Sequence, residues 1–402
     1  MSYDATQSVA ILTESVGNEA RGTRMIRLAV VGVGKMGLSH LSILGAHPNV
    51  EIAAVCDTSG YLLDLLGKYT GTTGYSDYQK MLDRAELDAV VIATPTRAHA
   101  AMVRAALERG LHVFCEKPLT LSAEESEELA RRAAELGLHC QVGYHNRFVA
   151  AFAEAKRLLA LGAIGRVTHA HAEAYGPVVL RPKGGTWRSR SSEGGGCLYD
   201  YAAHPLDLLA WYLGAPDAVG GTVMGRIFSA DTEDEVYSTL YYPGGASAQL
   251  SVNWSDESFR KMTTRITLSG TGGRIIVDRQ ECQAYLREGM PMPEGYRHGW
   301  NVRYTTDLTE PVWFYLRGEE YSAEWAYFVD AVAGKLPAGA DGGVNSFASA
   351  AVTDRVIEML VDDAAVDRGA ASAARASDRQ AAAPREARGR RWAQRGARKD
   401  RI

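Results

Sequence analysis

The chain lacks any apolar run long enough to cross a bilayer as a helix, for which about 20 consecutive apolar residues are needed. It also lacks a leader pattern. Residues 1–25 hold acids and glycine where a secretory signal would set a basic segment before an apolar one. Cysteine is scarce: Cys56, Cys115, Cys140, Cys197 and Cys282 form no CxxC pair and no metal-ligand spacing, and their number is odd. A disulfide framework and a metal centre are therefore not expected, and a reducing, cytoplasmic setting fits best. An excess of one charge is missing too. A net charge of −4 over 402 residues gives no general reason for a nucleic-acid or membrane partner. The exception is local, because residues 368–402 hold eleven Lys and Arg against three Asp and Glu. That Ala/Arg-rich tail has too few large apolar residues to fold alone, so a solvated, disordered extension is expected there. Residues 1–25 show no periodicity; either they are disordered as well or the true translation start is later, Met25 standing at the boundary with the first strand.

What is present indicates two domains. With 46% hydrophobic and 23% charged residues the composition is that of a globular protein, and the length exceeds what one ordinary core holds. From Ile26 to about Gln141, β-branched runs alternate with amphipathic stretches: IRLAVVGVG, VEIAAVCD, LDAVVIAT, HVFCEKP and HCQVGYH. Strands buried on both faces and alternating with helices predict a parallel, doubly wound α/β sheet over residues 26–146. A second domain is expected over 147–367. It starts with a helix near Phe148–Leu161 and resumes with another at Leu198–Leu213. Strand-like runs follow near Gly220–Phe228, Val236–Tyr242, Ser247–Trp254, Thr263–Leu268 and Arg274–Asp278, with turns at Pro243-Gly244-Gly245 and Gly270-Thr271-Gly272. This reads as α+β with a large, mostly antiparallel sheet, closed by helices near Ser322–Val332 and Ser346–Leu360. Residues 279–321 read as an insertion without an assigned role.

Four segments carry chemistry. Gly32-Val33-Gly34-Lys35-Met36-Gly37 joins the first strand to a helix. In such a GxGxxG, one glycine makes the turn, the next admits a diphosphate and the third lets helix and strand approach, with the phosphates at the helix N-terminus. Asp57 ends the second strand, 20 residues after Gly37, where an acid would bind the adenosine ribose hydroxyls. No Arg or Lys directly follows it, so NAD is favoured over NADP. Thr94-Pro95-Thr96, with His99 beyond, and Glu116-Lys117-Pro118 end two further strands at the edge where such sheets bind cofactors. Lys117 there is either a cation beside the reacting oxygen or the partner of Glu116. Gly194-Gly195-Gly196 then leads to Asp200 and His204, four apart on a predicted helix and so on one face. The glycines are expected to leave room for a ligand. His204 suits proton transfer with an alcohol, oriented by a neighbouring carboxylate. His169 and His171 alternate along a strand without a third ligand, so they do not read as a metal pair.

In this order GVGKMG, Asp57, ATPTRAH, CEKP, VGYHNRF, Trp187-Arg188 and GGGCLYDYAAHPLDLLAWYLG resemble the Gfo/Idh/MocA oxidoreductases over about residues 26–362. The resemblance implies a Rossmann domain followed by one built on a large open sheet, which often makes dimer or tetramer contacts. It implies catalytic roles for Lys117, Asp200 and His204, and substrate contact by Arg147, with Tyr144 and Asn146 as neighbours. The expected activity is NAD-linked oxidation of a secondary hydroxyl of a sugar or cyclitol, or the reverse. An NADPH-dependent ketoreductase of deoxysugar synthesis, an NAD-assisted glycosidase and a non-catalytic sugar sensor are the alternatives.

Overall fold

The computed structural model describes residues 25–180, 187–336 and 343–381, with side chains as far as 366. The expected disorder of residues 1–24 and 382–402 lies outside these residues. Strands β1 (Ile26–Val31), β2 (Val50–Cys56), β3 (Thr73–Tyr75), β4 (Ala89–Ile92), β5 (His112–Cys115) and β6 (Cys140–Val142) form a parallel sheet in the order β3-β2-β1-β4-β5-β6. All four residues of β4 are buried, and β1 is nearly as enclosed. Helices on both faces account for these continuous apolar runs. The strand order reverses between β1 and β4, and a doubly wound sheet opens its ligand crevice at that point, outside the carboxyl ends. Helix α1 (Lys35–Gly45) leaves β1 at this crevice. Helices α2 (Gly60–Thr70), α3 (Tyr78–Arg84), α4 (His99–Leu107) and α5 (Ala123–Glu135) complete the layer. Ser59, Asp77 and Ser122 cap α2, α3 and α5 by accepting an N–H of the first turn.

Helix α6 (Ala150–Ala160) leads to β7 (Val167–Tyr175), and helix α7 (Ala203–Leu213) to β8 (Ala218–Gly225). The sheet then adds β9 (Glu235–Tyr241), β10 (Ser247–Asn253), β11 (Arg265–Gly270), β12 (Gly273–Asp278), β13 (Glu281–Leu286) and β14 (Gly299–Tyr304). Its order is β14-β13-β12-β11-β7-β10-β9-β8, antiparallel except for the parallel pair β7/β10. On β7 the inward residues are Ala170, Ala172 and Ala174, all buried. Their small side chains leave space for α7, which lies against this strand. Both expected turns join antiparallel neighbours, β9 to β10 and β11 to β12.

Two expectations need correction, and a third gains detail. Residues 279–321, expected as an insertion without an assigned role, supply β13 and β14, which extend the sheet and bury Cys282, Ala284 and Leu286. The helix expected over Leu198–Leu213 opens with a π turn at Leu198–Ala202 before α7 begins. The last helix, α9, runs Phe347–Ala381, past the Asp367 at which order was expected to end.

Helix α8 (Glu319–Val332) follows the second sheet in sequence but packs on the first. Trp325 donates from Nε1 to His40 Nδ1 at 3.1 Å and lies 4.1 Å from the Phe114 ring. Early in α9, Asp354 accepts hydrogen bonds from Ser126 Oγ at 2.7 Å and Thr120 N at 3.3 Å. The chain therefore returns to the first domain, and residues through 364 form one compact unit. No described helix is long and apolar enough to cross a membrane.

Candidate active site

The glycine loop divides its three tasks as the motif demands. Gly32 has φ +84°, and a Cβ there would lie 2.7 Å from Ala93 O. At Gly37 a Cβ would stand 1.7 Å from Gly32 O, so only glycine lets α1 start this close to the turn. Gly34 has nothing within 4 Å of a Cβ position among the described residues. That open space at the α1 N-terminus suits a diphosphate, which a side chain would displace. Asp57 fixes the loop from β2: Oδ2 accepts Val33 N at 2.7 Å and Oδ1 accepts Ser59 N at 2.8 Å. Each oxygen keeps a lone pair for a ribose hydroxyl. Lys35 is exposed and Met36 half-buried in the same turn. These features fit a dinucleotide.

Beyond β4 and β5 the expected cofactor residues part ways. Pro95 is exposed and Thr94 half-buried, whereas Thr96 is buried beneath Gly194. His99 does not face the crevice. It is buried, with Nδ1 at 3.0 Å from Pro118 O and Nε2 at 2.9 Å from Thr94 O. Its single N–H ties one of these two loops, with the other ring nitrogen held close to the second, so the buried ring clamps the loops rather than facing a cofactor. Glu116 does not pair with the Lys117 ammonium either. Its Oε1 lies 2.7 Å from His40 Nε2, and Oε2 accepts the Lys117 backbone N–H at 3.1 Å.

Lys117 instead reaches across to the second domain, donating from Nζ to Asp200 O at 2.8 Å and Asp200 Oδ1 at 3.1 Å. Arg188 Nε donates to Asp200 Oδ2 at 2.8 Å. Burial alone would raise the Asp200 carboxyl, but the two cations outweigh it and hold the group below its ordinary range. The glycines before it serve close packing of protein rather than room for a ligand. A Cβ on Gly195 would lie 2.5 Å from Arg188 O, and one on Gly196 2.1 Å from Glu233 Oε1.

His204 is 4% exposed, and its Nδ1 has no hydrogen-bond partner among the described residues. The expected Asp200–His204 contact is not made: the Asp200 oxygens accept from Lys117 and Arg188, and His204 Nδ1 has no partner among the described residues. The nearest rings to His204 are His145, edge-on at 5.1 Å, and Tyr144 at 6.4 Å. Burial, then the Lys117 ammonium and His145, push His204 well below its ordinary pKa, so it stands neutral. Tyr144 is fully buried and Asn146 buried, and the Tyr144 hydroxyl and Asn146 Nδ2 have no hydrogen-bond partner among the described residues. Arg147 turns away from the site. Its guanidinium forms a two-pronged buried pair with Asp207, Nε to Oδ2 at 2.9 Å and Nη2 to Oδ1 at 2.6 Å, and lies over the Trp211 ring. Substrate contact by Arg147 is thereby corrected to a structural ion pair. His169 and His171 stand on the outer row of β7, His169 Nδ1 at 3.0 Å from Ser247 Oγ.

Residues 26–144 match the family model described as an oxidoreductase family with an NAD-binding Rossmann fold, and 152–276 match its C-terminal domain. The chain belongs to the Gfo/Idh/MocA oxidoreductase family. One relative is scyllo-inositol 2-dehydrogenase (NAD(+)) of Bacillus subtilis (strain 168), 30% identical over 63% of this chain and 73% of that protein. Another is dTDP-3,4-didehydro-2,6-dideoxy-alpha-D-glucose 3-reductase of Streptomyces antibioticus, 29% identical over 63% of this chain and 76% of that protein. Levoglucosan dehydrogenase, solved with NADH and levoglucosan, shares the fold at a TM-score of 0.74. It is 23% identical, covering 85% of this chain and 98% of that one.

Two members of the site gave no signal of their own in this Gfo/Idh/MocA chain. His145 lay inside VGYHNRF but carried no role. Tyr321, stacked on His145 at 4.8 Å, comes from the segment left unassigned.

Proposed function

We propose that this protein is an NAD(H)-dependent dehydrogenase that oxidises a secondary hydroxyl of a sugar or cyclitol to a ketone, or catalyses the reverse. The observation that carries this reading is the set of half-buried Lys117 with buried Asp200 and His204 at the carboxyl edge of the dinucleotide sheet. Bound nicotinamide would supply the hydride acceptor. The remaining work falls to side chains. An ammonium has three donors, and Asp200 occupies two of those on Lys117, leaving the third for the substrate oxygen. That cation stabilises negative charge as the hydroxyl loses its proton. His204, kept neutral by burial, takes the proton on its imidazole. Asp200 acts on Lys117 and Arg188 rather than on His204.

NAD rather than NADP is inferred from Asp57, whose carboxylate would repel a 2′-phosphate, with no Arg or Lys directly following it in sequence to offset the charge. The cyclitol and sugar relatives support the substrate class. Titration with NAD+ and NADP+, followed by an NAD-coupled screen of inositols, free sugars and sugar nucleotides, tests the proposal. Preferential NAD+ binding and reduction with at least one polyol are expected, with Lys117→Ala abolishing the reduction. Tight NAD+ binding with no reduction across the panel would mark a sensor. Preference for NADPH with a nucleotide-linked ketone would mark a reductase of deoxysugar synthesis.

A further inference from the structure

Residues 313–330 run beside α1, and two contacts and one electrostatic interaction show how. Trp313 packs edge-on against His47, just past the end of α1, at 4.7 Å. Trp325 bonds His40 in the middle of α1. Asp330, further along α8, lies within electrostatic range of His47 again. Thus α8 runs in the same direction as α1, and its start lies level with the start of α1. Met36 of the glycine loop accordingly shares a hydrophobic cluster with Tyr321, Phe314 and Leu316. The turn Arg317-Gly318, which leads into α8, therefore lies toward the start of α1, on the side of the glycine loop.

Arg317 is unusual in that turn. It has φ +69°, one of two non-glycine residues with positive φ among those described. Such strain in a bulky residue persists only where its surroundings enforce it. Here they do: Arg279 donates from Nη2 to Arg317 O at 3.0 Å and pairs with Glu320. A Cβ on Gly318 would strike both of those side chains, so the turn is packed from beneath. Arg279 is thus neutralised by Glu320. The Arg317 guanidinium has no carboxylate partner among the described residues, is exposed, and lies 5.5 Å above the Tyr321 ring. Tyr321 stacks on His145, and His145 meets His204 edge-on.

We propose that Arg317 is a dinucleotide-binding residue whose guanidinium closes over the glycine loop and pairs with the cofactor diphosphate. The α1 N-terminus holds the phosphates through backbone N–H groups from one side, and Arg317 supplies a planar, two-pronged donor from the other. The stack through Tyr321 and His145 holds that cation in register with His204. This rests on the NAD reading above.

Calorimetric titration of NAD+ and of ADP-ribose, which has the diphosphate but no nicotinamide, tests it on the full chain. Arg317→Ala is expected to weaken both ligands by about tenfold and to flatten the salt dependence of binding. Arg317→Lys should retain part of the affinity. Arg317→Gln keeps the stem over Tyr321 and should lose as much as alanine; it serves if the alanine variant folds poorly. Unchanged ADP-ribose affinity in the alanine and glutamine variants overturns the proposal, whatever happens to NAD+. If the wild-type chain binds neither ligand, it is the dinucleotide reading itself that fails.

Discussion

A neutral imidazole buried beside an ammonium is a base that stays available in mild acid. His204 lies well below the ordinary 6.5, first through burial and then through Lys117 and His145. In the folded protein it therefore remains deprotonated as pH falls through 6.5, while in the unfolded chain it takes up a proton. Two outcomes follow with opposite appearances. The acid limb of kcat/KM for oxidation should have its inflection well below pH 6.5, whereas the His204 contribution to stability should already decline as pH drops under 6.5, by up to about 1.4 kcal/mol per pH unit. A pH–rate profile of the wild type beside thermal melts at each pH checks both, and an inflection in kcat/KM at 6.5 assigned to His204 contradicts the first. His204→Gln should lower kcat by about 10²–10⁴-fold with NAD+ affinity unchanged. Arg147 belongs to a different class of residue. Its pair with Asp207 is almost fully buried, so Arg147→Ala leaves an uncompensated carboxylate and should cost about 3–5 kcal/mol in chemical denaturation. If the chief effect were instead a raised KM with stability intact, Arg147 would be a substrate ligand after all. At this scale the residue types were readable from motif spacing but their pairings were not. Lys117 had an acid next to it in sequence and another 83 residues away, and only the fold selects Asp200.

The glycine loop separates packing from binding within one turn between strand and helix. Gly37 and Gly34 sit three residues apart, yet a methyl group meets opposite conditions at each. At Gly37 it would collide with Gly32 O at 1.7 Å, so Gly37→Ala must shift the start of α1 and should cost about 1–3 kcal/mol or more even without ligand. At Gly34 it meets nothing, and φ −68° accepts alanine, so Gly34→Ala should melt like the wild type. It should nevertheless bind NAD+ at least tenfold more weakly, because the methyl occupies the diphosphate space. Melting curves and titrations of the two variants decide this, and equal NAD+ affinity for Gly34→Ala would show the diphosphate to lie elsewhere. The first sheet was legible because five of its six strands are dense β-branched or apolar runs. The three-residue β3, with exposed Thr73 and Gly74, gives no such signal. Strand β13 was missed although Cys282, Ala284 and Leu286 alternate inward, because polar residues and nearby Gly and Pro masked so short a run. The π turn was not legible at all, since Leu198–Leu213 carries apolar spacing that an α-helix would satisfy equally.

Across the whole molecule, the two sheets are coupled by helices that come last in the chain. The boundary expected near residue 146 marks a change of sheet type, not of packing. Trp325 on α8 is fully buried between His40 and Phe114, and Asp354 on α9 binds the loop after β5. One extended hydrophobic cluster also joins residues of both sheets, from Val90 and Val113 to Leu250 and Ile275. Sequence patterning cannot register this, because it reads each element's own buried face and not which domain covers it. A chain assembled in this way should unfold as one cooperative unit. Scanning calorimetry is expected to show a single transition, and NAD+ at about 100 times its Kd should stabilise that transition as a whole by about 2.7 kcal/mol. Trp325→Ala removes the largest side chain at the junction and should cost about 3–5 kcal/mol. The informative result is how that loss is distributed. Two separated transitions in the variant, only one of which moves with NAD+, would show that α8 is what welds the cofactor domain to the catalytic sheet. Two transitions already present in the wild type would mean that the sheets fold independently, and that the position of Lys117 relative to Asp200 is set by docking rather than by a shared core.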